Sequence, residues 1–341
     1  QEDGENMEQK DKQTAEKFTV RTDLAIEARE IAREGREEAG EPDGVQVETS
    51  HTKDYELTRV HILTEQGSQT MGKPMGSYIT LEAQKLKEND PESHSSIVAV
   101  LSKELQHLAK LKKQGTALVV GLGNWNITPD ALGPKVVSRI LVTRHLRDTL
   151  PEEMAQTVRP VAAVSPGVMG ITGIETGEIV KGIVEKMHPD LVIAIDALAA
   201  RKTSRINAAI QLSDTGLAPG AGVGNKRKML SEETLGVPVI AIGVPTVVDA
   251  ATLVNDTMDR MLTEMRSQTE EHSPFYQMLM DMESEDKYGL ITELLTPAAE
   301  NMFVTPKEVD AVVDRLADII AKAVNMAMQP GLTEEDWSLF G

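Results

Sequence analysis

The sequence has no cysteine, which excludes disulfides, thiolate metal sites and a cysteine nucleophile. Aromatic residues are only 3% of the chain against 40% hydrophobic residues overall, so aliphatic side chains and the 16 methionines must fill the core. Positive charge is in deficit: 35 Lys and Arg stand against 54 Asp and Glu, a formal net charge of −19. A constitutive nucleic-acid binder needs clustered cations to neutralise phosphates, and this balance argues against one. The same balance suits solubility and attraction to basic protein partners. No apolar run approaches the ~20 residues that span a bilayer. The amino terminus is polar and acidic and does not read as a secretory signal. Together with the lack of cysteine, this gives a cytoplasmic expectation.

With 341 residues the chain can bury a substantial core. Residues 1–17 (QEDGENMEQKDKQTAEK) have no apolar periodicity and read as a charged leader, either a solvated tail or a removable pro-segment. Residues 18–341 are expected to form one large α/β domain. Thr22-Asp23 offers an N-cap for a helix from about Leu24 to Arg33. Val45–Val47 and Tyr55–Leu63 alternate as strands and Tyr78–Leu81 leads into a further short element, giving a smaller β-containing subregion near residues 45–81, with Gln66–Ser77 as a flexible connection. Asp90-Pro91 starts a helix to about Lys113. From there strands and helices alternate. Strands are expected at Thr116–Val120, Val161–Val164, Leu191–Asp196, Ala208–Leu212 and Val237–Ile242. Helices are expected at Asp130–Leu146, up to Met187, Val248–Arg266 and Thr305–Met328, and 268–290 reads as a loop or short helix. Such alternation predicts a three-layer fold, a mostly parallel sheet with helices on both faces.

The stretch Gly115–Gly133 (GTALVVGLGNWNITPDALG) is a strand that stops at glycines and restarts as a helix, where open α/β sheets place their chemistry. It delivers Asp130 just past the strand, and the strand Leu191–Asp196 ends on a second acid. Parallel strands share one carboxyl edge, so Asp130 and Asp196 can converge. Two neighbouring carboxylates share a proton, one acting as base toward water and the other as acid toward a carbonyl. Structural readings compete: Asp130 suits a helix start, and Asp196 can bind backbone amides or an arginine such as Arg201. A metal held by the same two acids is the main chemical rival.

Other motifs carry less. Asp214-Thr215-Gly216 matches the motif of pepsin-like and retroviral proteases, but one copy in an α/β pattern reads as a turn. Pro219–Lys226 lacks the phosphate-loop spacing, and Gly121-x-Gly123 lacks a third glycine. The seven histidines show no zinc spacing. No Gly-x-Ser-x-Gly elbow is present, and Ser165 has no evident His or acid partner. No cofactor is expected.

Five strings resemble the germination protease family of spore-forming bacilli: FTVRTDLAIEA from Phe18, VVGLGNWNITPDALGPKVV from Val119, SPGVMGITGIET from Ser165, IAIDALAAR from Ile193 and SDTGLAPGAGVGNKR from Ser213. The resemblance covers the chain from about residue 18. A weaker likeness, in the Gly-x-Gly-Asn turn, links it to hydrogenase-maturation peptidases. The family resemblance implies a tetrameric endopeptidase that degrades the small, acid-soluble, DNA-protecting proteins of the spore core during germination. It implies a zymogen, with the leader as pro-segment and the cut between Glu16 and Val20. It also implies an atypical aspartic protease whose two essential aspartates match Asp130 and Asp196. Earlier classification of the family as metallopeptidases keeps a metal-dependent alternative open.

Overall fold

In chain order the strands are β1 (Val45–His51), β2 (Glu56–Ile62), β3 (Gly76–Glu82), β4 (Ala117–Gly121), β5 (Val161–Val164), β6 (Leu191–Ala200), β7 (Ala209–Ser213), β8 (Val239–Asp249) and the two-residue β9 (Phe303–Val304). They come from a computed structural model that describes residues 22–34, 40–111, 115–147, 149–219, 228–268, 273 and 302–337. The expected leader at 1–17, the glycine-rich loop from Gly220 to Arg227 and nearly all of 268–290 lie outside the described residues.

The run Leu191–Asp196 is buried throughout and forms the middle of the parallel part of the sheet. There β6 pairs in parallel with β4 on one side and β8 on the other, and β4 pairs in parallel with β5. Strands apolar on both faces belong where helices cover both faces. Beyond β8 the pairing turns antiparallel, through β7 and β3 to β2 and β1. The path is β1-β2-β3-β7-β8-β6-β4-β5. The β-containing subregion near residues 45–81 is thus the antiparallel flank of the same sheet.

The helices are α1 (Ala25–Glu34), α2 (Glu65–Met71), α3 (Pro91–Ala109), α4 (Leu132–Val137), α5 (Thr176–Met187), α6 (Ala250–Gln268) and α7 (Val309–Met328), besides shorter turns. One face of the sheet, through Val119, Ile193, Ile195 and Ile242, packs on Leu101 and Leu105 of α3, Leu132 and Val136 of α4, and Leu316 and Ile320 of α7. The other face, through Leu118, Val120, Val192 and Ala194, meets Val180 and Val184 of α5. Ala25 and Ala28 of α1 and Met71 of α2 cover Val60, Ile62 and Tyr78 of the flank. This is the expected three-layer arrangement.

The chain divides into two compact units, Asp23–Val248 with Val304–Gly341, and Gln1–Thr22 with Asp249–Phe303. The sheet core described above lies in the first. In the second, α6 starts where Ala250 N donates to the Met302 carbonyl at 2.9 Å.

Three elements depart from the sequence reading. The helix expected from Asp130 to Leu146 is short: a 3-10 turn at Thr128–Asp130 precedes α4, which stops at Val137. Asn325 of α7 then accepts from Leu141 N at 2.9 Å and donates to the Arg139 carbonyl at 3.1 Å, so a distant side chain satisfies backbone that a longer helix would have paired. Gln66–Ser77 is not a plain connection, because Thr64 caps α2 by accepting from Gly67 N at 3.1 Å. Strand β8 runs through Gly243 and Pro245 to Asp249. Its register with β6 shifts between Leu198 and Ala199, opposite Pro245, and such an irregularity is where a strand tolerates proline.

Candidate active site

The turn after β4 is shaped by glycines that admit no side chain. Gly123 has φ +109°, a conformation L side chains rarely adopt, and a Cβ there would sit 2.0 Å from the Asp130 carbonyl oxygen. A Cβ on Gly133 would sit 2.2 Å from the Leu122 carbonyl oxygen and 2.6 Å from that of Ile195. These close approaches let the turn fold onto the end of β6, and Leu122 N donates to the Ile195 carbonyl at 2.8 Å. From the β8 side, the buried Thr246 donates its Oγ1 proton to the Pro129 carbonyl at 2.8 Å, and the Thr246 carbonyl accepts from Thr305 Oγ1 at 2.9 Å. The backbone carrying Asp130 is therefore tied to both β6 and β8.

Asp130 is half-buried, and its Oδ2 accepts from Asn124 N at 2.7 Å. That bond closes the turn and orients the carboxylate. Asp196 is buried at 4% exposure, in register with Gly243 of β8, and its Oδ1 accepts from Ala197 N at 2.9 Å. Asp130 thus sits on the turn that follows β4, and Asp196 lies on β6 one residue past the end of its pairing with β4, with the Leu122–Ile195 hydrogen bond between their backbones. The structural alternative, that Asp196 binds a backbone amide, is realised at Ala197.

Asp196 was expected to end its strand, yet β6 continues to Ala200. The residues responsible are remote in sequence. Asp23, expected as a helix cap, instead accepts from Ala199 N at 2.8 Å through Oδ2, and Glu27 accepts from Arg201 N and Lys202 N at 2.7 and 2.9 Å. Burial raises the Asp23 carboxyl above its ordinary value, opposed by the Ala199 amide and by the charge of Lys73. Sequence reasoning missed both roles, because neither acid shows any local sign of serving a strand so far along the chain.

Two loops border this edge. Trp125 and Ile127 on the β4 turn and Met169, Ile171 and Ile174 on the loop after β5 are large apolar side chains left exposed. The β5 loop ends at Glu175, whose Oε1 is buried with no hydrogen-bond partner among the described residues. Asp214 is elsewhere. It follows β7, which runs antiparallel to β8, and lines a cavity of about 370 Å³ with Asp190 and Pro238 at the opposite edge of the sheet. Its Oδ1 accepts from Ser77 N at 2.7 Å, the turn role its motif suggested. Among the described residues no group of three or more His, Asp and Glu is arranged to hold a metal ion. Among them, too, no helix is long and apolar enough to cross a membrane.

A family model described as germination protease matches residues 25–281 and 264–341. The germination protease of Caldanaerobacter subterraneus subsp. tengcongensis is 51% identical over 317 residues, 93% of this chain and 96% of that protein. That of Clostridium tetani is 50% identical over 319 residues, covering 94% and 98%. That of Bacillus mycoides is 45% identical over 354 aligned residues, covering 94% and 96%. Among solved structures, a [NiFe] hydrogenase maturation protease HycI from Thermococcus kodakarensis aligns at 18% identity and TM-score 0.32, over 65% of this chain and 98% of that one. With the family model matching nearly all of the described sheet and relatives about half identical along their full length, the chain belongs to the germination protease family.

Proposed function

We infer that this germination protease is an endopeptidase working through Asp130 and Asp196. The observation that carries the reading is that Asp130 stands on the turn after β4 and Asp196 one residue past the end of the β4–β6 pairing, on backbones joined by the Leu122–Ile195 bond. In the catalytic cycle the pair holds one proton. The ionised member takes a proton from water as it attacks the scissile carbonyl, and the protonated member donates to the carbonyl oxygen. Collapse of the tetrahedral species then returns a proton to the leaving amine. Asn124 N steadies Asp130 and Ala197 N steadies Asp196, so each carboxylate enters the cycle with one oxygen already oriented. The exposed apolar side chains of the two bordering loops suit an extended peptide.

The substrates in this reading are the small acid-soluble proteins that coat spore DNA, met in the spore core. The net charge of −19 favours a basic protein over the phosphates beneath it. The leader 1–17 acts as a pro-segment removed by a cut between Glu16 and Val20, and the working form is a homotetramer. The test is to follow cleavage of a purified small acid-soluble spore protein by the trimmed chain and by Asp130→Asn and Asp196→Asn. Loss of cleavage in both folded variants supports the pair, and full activity in either overturns it. Activity lost to a chelator and restored by a divalent cation replaces the bare pair with metal-assisted hydrolysis by the same acids.

A further inference from the structure

Strand β4 ends at Gly121, opposite Ile195, so β6 loses its neighbour on that side one residue before Asp196. The amides of β6 that face the gap still need acceptors, since an unpaired buried N–H is costly. Carboxylates supply them in succession. Ala197 N donates to Asp196 itself, Ala199 N to Asp23, and Arg201 N and Lys202 N to the two oxygens of Glu27. The Asp23 amide also donates to the Ala199 carbonyl at 3.2 Å, as a strand would. Asp23 and Glu27 are themselves fixed. Gln211 of β7 donates to the Asp23 carbonyl and accepts from Ala25 N at 2.6 Å. Glu27 is fully buried beside the Arg205 guanidinium.

We propose that Asp23 and Glu27 are positioning residues for Asp196. They substitute for the missing strand and hold residues 197–202 extended, so that the Ala197 amide stays where it can bind Asp196 Oδ1. Without them the segment after Asp196 is free to turn away, and the carboxylate loses its orienting donor while its own strand pairing with β8 remains. The role rests on the peptidase reading above and deepens it. It assigns a function to two acids about 170 residues away from Asp196 in sequence.

The test compares Asp23→Ala, Glu27→Ala and Glu27→Gln in the trimmed, full-length remainder of the chain. The readouts are kcat and KM for a small acid-soluble spore protein and amide hydrogen exchange across 195–202. Expected are faster exchange at 197–202 in both alanine variants and a fall in kcat of at least ~10-fold with KM within about twofold, since orientation of a catalytic group acts on the chemical step. Glu27→Gln retains one acceptor and is expected to recover part of the loss. In the Asp196→Asn background, where the group to be positioned is gone, Glu27→Ala is expected to lower the residual rate no further. Unchanged kcat in a folded alanine variant whose exchange is accelerated overturns the positioning role. So does a further loss of equal size in the Asp196→Asn background. If Glu27→Ala fails to fold, Asp23→Ala, whose side chain lies outside the Arg205 cluster, decides the question by the same criteria. A wild-type chain that cleaves nothing defeats the peptidase reading itself, a different outcome from selective loss in the variants.

Discussion

At the scale of single residues the site depends as much on missing side chains as on the two acids. Asp130→Asn and Asp196→Asn are each expected to lower the rate by about 10²–10⁴-fold, the usual contribution of a positioned acid or base, with thermal unfolding little changed. Gly133→Ala puts a methyl group against the Leu122 and Ile195 carbonyls, both backbone and unable to yield. A loss of about 1–3 kcal/mol in denaturant unfolding is expected, together with weakened cleavage because the turn carrying Asp130 must lift off β6. Equal stability in Gly133→Ala would show that the close approach is not required. The two acids were legible in the sequence because apolar runs ending in glycine or aspartate mark the carboxyl edge of a parallel sheet. Asp23 and Glu27 were not, because a carboxylate that serves a remote backbone amide looks locally like any helix-opening acid.

Among elements, α1 is bound to the sheet by charge as well as by packing. Arg205, buried at 7% exposure, donates to Glu82 of β3 at 2.7 Å and to both Glu30 oxygens of α1 at 2.7 and 2.8 Å. Burial alone raises the Glu30 carboxyl, but hydrogen bonds from Arg205 and Lys202 outweigh it and bring it down from 4.5 to about 2. A depressed folded-state value stabilises the protein fully above the unfolded value. The benefit is lost as pH falls from about 4.5 toward 2. Stability measured across that window is therefore expected to fall less steeply in Glu30→Gln than in the wild type. An identical slope would remove Glu30 from the acid response. Arg205→Ala takes a buried cation away from Glu27, Glu30 and Glu82, and a loss of about 3–5 kcal/mol is expected by denaturant unfolding. Element lengths were harder to read than element types. The helix after Asp130 is cut short by Asn325 from the far end of the chain, and β6 is prolonged by residues near its start. The antiparallel flank was visible as alternation in β1 and β2, but alternation does not say which strand accepts the flank, so its junction with β8 through β3 and β7 came from the structure alone.

The molecule as a whole is strongly acidic, and the proposed substrates are DNA-coating proteins bound to a polyanion. Electrostatic capture across that difference predicts that kcat/KM falls as ionic strength rises from tens to hundreds of millimolar while kcat changes little, because screening acts on encounter rather than on chemistry. Steady-state kinetics at several salt concentrations check it, and a flat kcat/KM would count against charge-guided capture. The scarcity of aromatics has a practical consequence of its own. The chain has two tryptophans, and one of them, Trp125, stands exposed on the same turn as Asp130. In a Trp337→Phe background the tryptophan fluorescence of the protein, excited beyond the tyrosine band, comes from that turn alone. The fold has thus placed an optical reporter beside its proposed catalytic acid, and a peptide settling there in the Asp196→Asn variant should shift the emission to shorter wavelength without being cut.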